Sequence, residues 1–192
     1  MLPANTRFLS VAAATVLIGC CYVAVSGQSP DSQIFPVANE PNWVGNDTLV
    51  VVQIAGSNSF AAYSKHSGKW STHSFPDGVV AIPVISGNCA AFQLTGEGIS
   101  EVVAIDRNGE WRTRRLIQAA NQCVPIVGND VAAIQTGDHT YAFSATKGAW
   151  DIVMSSTAPR ISNDTVMLLS PDRISAFSAQ TAAWAESPSL KP

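Results

Sequence analysis

The pair Asn-Asp recurs at Asn46-Asp47, Asn129-Asp130 and Asn163-Asp164, and Asn88-Cys89 stands at the matching point between the first two. Carboxylate and amide oxygens gathered round one axis make the ligand set of a hard cation such as Ca²⁺, or an acidic, hydrogen-bonding rim. A local reading competes with this, because Asn and Asp close tight turns by bonding their own backbone. Other chemistry is sparse. His66, His73 and His139 are the only histidines, and none has the spacing of a zinc site. The chain shows no G-x-S-x-G, P-loop or dinucleotide fingerprint. Glu97, Glu101, Asp106 and Glu110 are close in sequence but straddle one hairpin, with no nucleophile, base and orienter assembled around them.

The elements that position these residues repeat. Tyr141–Trp150 (YAFSATKGAW) has counterparts at Ala61–Trp70, Val103–Trp111 and Ser175–Trp184. The tryptophans at 70, 111, 150 and 184 are separated by 41, 39 and 34 residues. The asparagines at 46, 88, 129 and 163 are separated by 42, 41 and 34. Two markers drifting together identify four repeats. Within each, apolar residues alternate with period two between turn residues, and Asn108-Gly109 is a strong hairpin signal. About 40 residues and four short antiparallel strands per unit is the arithmetic of a propeller blade. The expected fold is therefore all-β, a small propeller of about four blades of four antiparallel strands, over residues 42–192. Trp70, Trp111, Trp150 and Trp184 are expected to open the outer strands and pack between neighbouring blades. Trp43 falls outside this register.

A leader precedes the repeats. Met1–Arg7 carries one basic side chain, and Phe8–Val25 is uncharged and mostly apolar, which predicts a hydrophobic helix and an export signal over 1–27. Three fates are open to it. Leu17-Ile18-Gly19-Cys20 resembles a bacterial lipobox, with Cys20 the acylated residue. The 18-residue run is long enough to span a bilayer uncleaved. Small residues at Ala24 and Ser26 also suit cleavage near Gly27. Each places the domain outside the cytoplasm, in a bacterial cell envelope, tethered to the membrane or secreted. Cys89 and Cys123 are then an even pair in an oxidising compartment, either a disulfide or two small buried apolar groups.

Residues 28–41 read as a linker and a closing strand, since Gln33-Ile34-Phe35-Pro36 resembles His73-Ser74-Phe75-Pro76. Closure through that strand gives a monomer. Without it, two chains complete a ring as a homodimer. A net charge of −3 gives no broad attraction to nucleic acid.

The seven-residue spacing of Tyr63 to Trp70, Phe143 to Trp150 and Phe177 to Trp184, with Pro159 and Arg160 leading into the fourth unit, resembles degenerate kelch repeats. Only Asp106 supplies the usual aspartate, and Ser64, Ser144 and Ser178 replace it. Together these features point to a non-catalytic binding or scaffold domain that recognises a protein or glycan. The alternative is an extracytoplasmic enzyme or Ca²⁺-dependent lectin using the Asn-Asp ring.

Overall fold

The computed structural model describes residues 42–190, and all the regular structure among them is β. The leader at 1–27, with Cys20, and the linker at 28–41 lie outside the described residues. No helix of the described residues is long and apolar enough to cross a membrane. The first sheet holds β1 (Trp43–Gly45), β2 (Leu49–Ile54), β3 (Ser59–Ser64) and β4 (Lys69–Ser74). The second holds β5 (Val80–Ser86), β6 (Cys89–Ile105) and β7 (Trp111–Cys123). The third holds β8 (Pro125–Val127), β9 (Val131–Thr136), β10 (His139–Ser144) and β11 (Ala149–Met154). The fourth holds β12 (Arg160–Ser162), β13 (Thr165–Leu169), β14 (Ile174–Ser178) and β15 (Ala183–Glu186). Each is an antiparallel meander in chain order, and each packs on the next. This is a β-propeller of four sheets.

The second sheet departs from the expected four strands. Its middle element runs unbroken for 17 residues, pairing β5 over Cys89–Thr95 and β7 from Leu94 to Ile105. It is not straight. Cys89 and Ala104, near its two ends, lie in one buried apolar cluster, whereas a straight strand of this length spans roughly 50 Å. The reversal falls where the β6–β7 register shifts, between Thr95 and Glu101. The long outer strand β7 follows the reversal and carries the pairing past it, so two expected strands merge into one.

Register explains the seven-residue spacing. Tyr63, Phe143 and Phe177 lie directly opposite Trp70, Trp150 and Trp184, with ring centroids 5.4, 4.9 and 5.6 Å apart. In the second sheet Ile105 takes the aromatic's place opposite Trp111. In the second, third and fourth sheets this pair lies on the face that looks back at the preceding sheet. The opposite face carries an alanine one residue before the partner: Ala62, Ala104, Ala142 and Ala176. The three apolar clusters span these junctions, with Trp111 and Ala62 in one, Trp150 and Ala104 in the next, and Trp184 and Ala142 in the third. A methyl group leaves the space that the next indole fills.

The hairpin turn before each tryptophan needs a left-handed residue. Gly68, Gly109 and Gly148 supply it at φ 67, 81 and 61°, and the fourth sheet uses Ala182 at φ 53°. Its amide still donates to the Ser178 carbonyl, as that of Gly68 does to Ser64. A Cβ in this region costs about 1 kcal/mol. Replacement of Ala182 by glycine is expected to raise unfolding free energy by about 1 kcal/mol in urea titration. A loss of stability would show that Ala182 is held by packing.

Candidate functional site

The turns that carry the asparagines lie at one end of all four sheets, together with the turns that follow Ser64, Asp106, Ser144 and Ser178. Backbone bonds join the two sets: Lys65 N–H to Thr48, Ala145 N–H to Asp130 and Ala179 N–H to Asp164, each at 2.9 Å. These bonds also align the sheets, and they correct the expected ring. Asp130 and Asp164 are equivalent, but their counterpart in the first sheet is Thr48. Asn46 donates its amide to Leu49 as Gly128 does to Val131, so the first Asn-Asp pair sits one residue early. Asn46 Oδ1 accepts from the Thr48 and Leu49 amides at 2.9 and 3.0 Å, the local turn bonding that such residues favour. Asp47 is exposed. Among the described residues, no three His, Cys, Asp or Glu side chains converge on a metal-sized position.

What the structure brings together is a polar seam across the sheets. His66 Nε2 lies 3.0 Å from Asn88 Oδ1, and Asn88 Nδ2 donates to Asp130 Oδ1 at 3.0 Å. Asn129 Nδ2 donates to Asp130 Oδ2 at 2.8 Å. Beneath these, the Asn88 amide donates to the Asn129 carbonyl at 2.7 Å, and the Asn129 amide to that of Asn163 at 3.0 Å. Asn46 Nδ2 and the Thr48 hydroxyl both donate to the Gly87 carbonyl. The approach is close enough to require glycine, since a Cβ on Gly128 would stand 2.4 Å from the Asn163 carbonyl oxygen. Asn46, Asn129 and Asn163 are exposed along this rim, with Asn88 half-buried. Asp164 Oδ1 is buried without a partner.

A second line of bonds runs through the serines that stand where the second sheet has Asp106. Ser64 Oγ donates to the Arg107 carbonyl and accepts from the His66 amide. Ser144 Oγ donates to the Ala179 carbonyl at 2.6 Å and accepts from the Lys147 amide at 3.0 Å. A hydroxyl both donates and accepts, so it ties its own turn and the next sheet together. A carboxylate accepts only. Asp106 therefore receives the Asn108 and Glu110 amides at Oδ1 and the Arg112 guanidinium at Oδ2, 3.1 Å from both Nε and Nη2.

The remaining sequence candidates are dispersed. Cys89 and Cys123 are both buried and free. They sit in different apolar clusters, and Cys123 pairs with Leu94, five residues along the strand from Cys89. That separation, about 16 Å of strand, exceeds the reach of a disulfide. Burial pushes the Cys123 thiol up to about 11. Burial, with Asp130 and Asp106 nearby, pushes Cys89 higher still. His73 stacks on Trp111 at 5.0 Å, between the first and second sheets. A cavity of about 120 Å³ beside Phe75 and Ile99 is smaller than the roughly 300–1,000 Å³ of small-molecule pockets.

The tryptophans divide. Trp111, Trp150 and Trp184 are half-buried, with Trp150 Nε1 donating to the Arg112 carbonyl at 3.2 Å. Trp70 is 58% exposed, contrary to the expectation that all four pack between blades. Trp43 pairs with Val52, on the same face as Val50, Tyr63 and Trp70, and is as exposed. No sheet packs on that face among the described residues. The alanine repeat that receives the rings was missed in the sequence, although its place two residues before each Ser or Asp was a visible signal.

Comparison with solved structures returns proteins of low sequence identity. Streptogramin B lyase is 14% identical over 77% of this chain and 54% of its own, with a TM-score of 0.37. A catalytically inactive virginiamycin B lyase from Staphylococcus aureus, bound to quinupristin, is 13% identical over 83% of this chain and 60% of its own, with a TM-score of 0.40. Apo AztD from Citrobacter koseri is 12% identical over 78% of this chain and 46% of its own, with a TM-score of 0.42. The chain spans about half the length of these proteins. No protein-family model matches it, nor does any characterised protein sequence. The fold assignment rests on the strand order and packing above.

Two outcomes follow from these contacts. Asp106→Ala leaves two turn amides without their acceptor and takes from the Arg112 guanidinium one of its two carboxylate partners, leaving Glu110 as the other, and is expected to cost about 1–3 kcal/mol. Asp106→Ser, which installs the residue found in the other three sheets, is expected to cost less. Equal losses in urea titration would contradict the serine argument.

Burial holds the His73 imidazole below its ordinary value of 6.5, with Glu101 acting in the opposite direction. The unfolded chain then binds a proton that the folded chain refuses, so stability is full above 6.5 and falls as pH drops below it. The urea midpoint is expected to decline from pH 7 to pH 5.5 less steeply in His73→Phe than in the parent. Parallel slopes would contradict it.

Proposed function

We propose that this chain is a non-catalytic binding or scaffold domain held at a bacterial envelope membrane by its N-terminal segment, where it recognises a protein or glycan. The exposed row of amide side chains on one rim carries this reading. Asn129 and Asn163 offer exposed amide groups to a neutral polar partner, while the Asn46 amide is taken up by its own turn and the Gly87 carbonyl, and the backbone bonds beneath hold three of the four sheets in fixed positions. Such preorganised, uncharged groups suit hydroxyl- and amide-rich ligands. The tryptophan spacing supports a kelch-like origin for the repeats. Apolar residues 8–25 support the tether, and either acylation at Cys20 or retention as an anchor meets it.

A Ca²⁺-dependent lectin or enzyme is the second reading, and the buried, unpartnered Asp164 Oδ1 is the observation that favours it. Asp130 works against it, since both its oxygens already accept amide N–H groups.

Binding of the full chain to peptidoglycan fragments and to a glycan and peptide array tests the proposal. Binding is expected to fall at least tenfold when Asn129 and Asn163 are both replaced by alanine, with the circular dichroism spectrum unchanged. Undiminished binding, or turnover on a hydrolase panel, would contradict it. Added Ca²⁺ is expected to leave Tm unchanged. A rise abolished by Asp130→Ala with Asp164→Ala would instead establish the cation reading.

A further inference from the structure

The four sheets hold four tryptophans and four alanines in equivalent places, yet among the described residues only three such pairs share an apolar cluster. Trp111 shares an apolar cluster with Ala62, Trp150 with Ala104 and Trp184 with Ala142. Trp70 and Ala176 are left over, at opposite ends of the series. Ala62, Ala104 and Ala142 are fully buried, whereas Ala176 is not. Trp70 is exposed where its three counterparts are half-buried.

The polar contacts are left over in the same way. The Ser64 and Ser144 hydroxyls donate to carbonyls of the following sheet and are wholly buried. Ser178, their equivalent, is half-buried and accepts from the Gln180 amide at 3.1 Å, as its counterparts accept from their own turns. The fourth sheet thus presents the receiving half of the internal interface, with Met167 and Ile174 around Ala176. The first sheet presents the inserting half, with Val50, Val52 and Tyr63 around Trp70.

We propose that these two faces close on each other between two copies of this chain, head to tail, so that two sets of four sheets complete one ring of eight. The occupant is a second copy because its fourth sheet repeats the surface that the other three tryptophans already pack on. Two copies are also the number that fits. Propellers carry typically 4–8 blades, so two fours reach the upper end of that range and three would exceed it. Head-to-tail contacts of this kind either close or propagate, and closure at two removes both open faces at once. The internal pattern sets the register, with Trp70 of one copy against Ala176 and Ala185 of the other. This inference is independent of the rim-binding proposal.

The test uses the full chain in mild detergent. With p-benzoylphenylalanine in place of Trp70, illumination is expected to give a two-copy product whose adduct maps to residues 174–186, and isotopically light and heavy chains should appear in mixed pairs. An adduct within one copy to residues 1–41, an adduct to another protein alone, or no two-copy product would overturn the proposal. Sedimentation supplies the second arm. Trp70→Asp and, separately, Ala176→Asp are each expected to halve the mass from two copies to one. Their equimolar mixture is expected to recover a two-copy species, because one intact pair of faces remains. Insensitivity to Ala176→Asp, or no recovery on mixing, would overturn the head-to-tail order.

Discussion

The contact on which the structure depends is an indole ring set against the alanine face of the preceding sheet. A tryptophan brings on the order of 150–250 Å² of surface to such a contact. Covering about half of it contributes roughly 2–3 kcal/mol, at about 25 cal/mol per Å². That gain exists only if the facing residue is small, because a larger side chain at Ala62, Ala104 or Ala142 would hold the sheets apart. The cross-strand partners Tyr63, Phe143 and Phe177 set the angle of each ring, and the left-handed turn residue fixes where the outer strand begins. Sheet order then follows from the chain, since the rings of the second, third and fourth sheets each share a cluster with the alanine face of the sheet before.

The hydrogen bonds at the turn end are the polar counterpart of that contact. Apolar sheets can slide, but the bonds from Asn88 to Asn129 and from Asn129 to Asn163 allow one register. The serine hydroxyls reinforce it by donating across the gap while accepting from their own turns. Asp106 shows what happens when the donor is missing, for its carboxylate turns inward to its own hairpin and recruits Arg112. The polarity of this rim thus begins as a structural requirement. Its exposed amides are what remains available to a partner once the backbone groups are satisfied.

Much of this was legible in the sequence. The tryptophan spacing, the period-two alternation and the turn glycines placed the four units, and cross-strand register accounts for the interval of seven. Three things were not legible. The reversal inside β6 was read as two separate strands, because nothing in Thr95–Glu101 announces that β7 continues past it. The one-residue offset of Asn46-Asp47 was hidden because the asparagine interval of 42 from Asn46 to Asn88 differs by a single residue from the next, 41, whereas the backbone bonds align Thr48 with Asp130. The exposure of Trp70 was hidden because a local motif reads the same whether or not a sheet precedes it. A repeat specifies both halves of an interface without stating which copies meet.

The central claim is that one interface, repeated, accounts for the internal packing and for the two faces left open. Fluorine NMR on the full chain labelled with 5-fluorotryptophan reads it directly, because each of the five tryptophans gives its own signal. On dilution through the assembly equilibrium, the signal of Trp70, and that of its neighbour Trp43, should move to solvent-exposed positions. Those of Trp111, Trp150 and Trp184 should stay in place. Five signals that all hold still, or a shift at any of the three internal rings, would contradict the account.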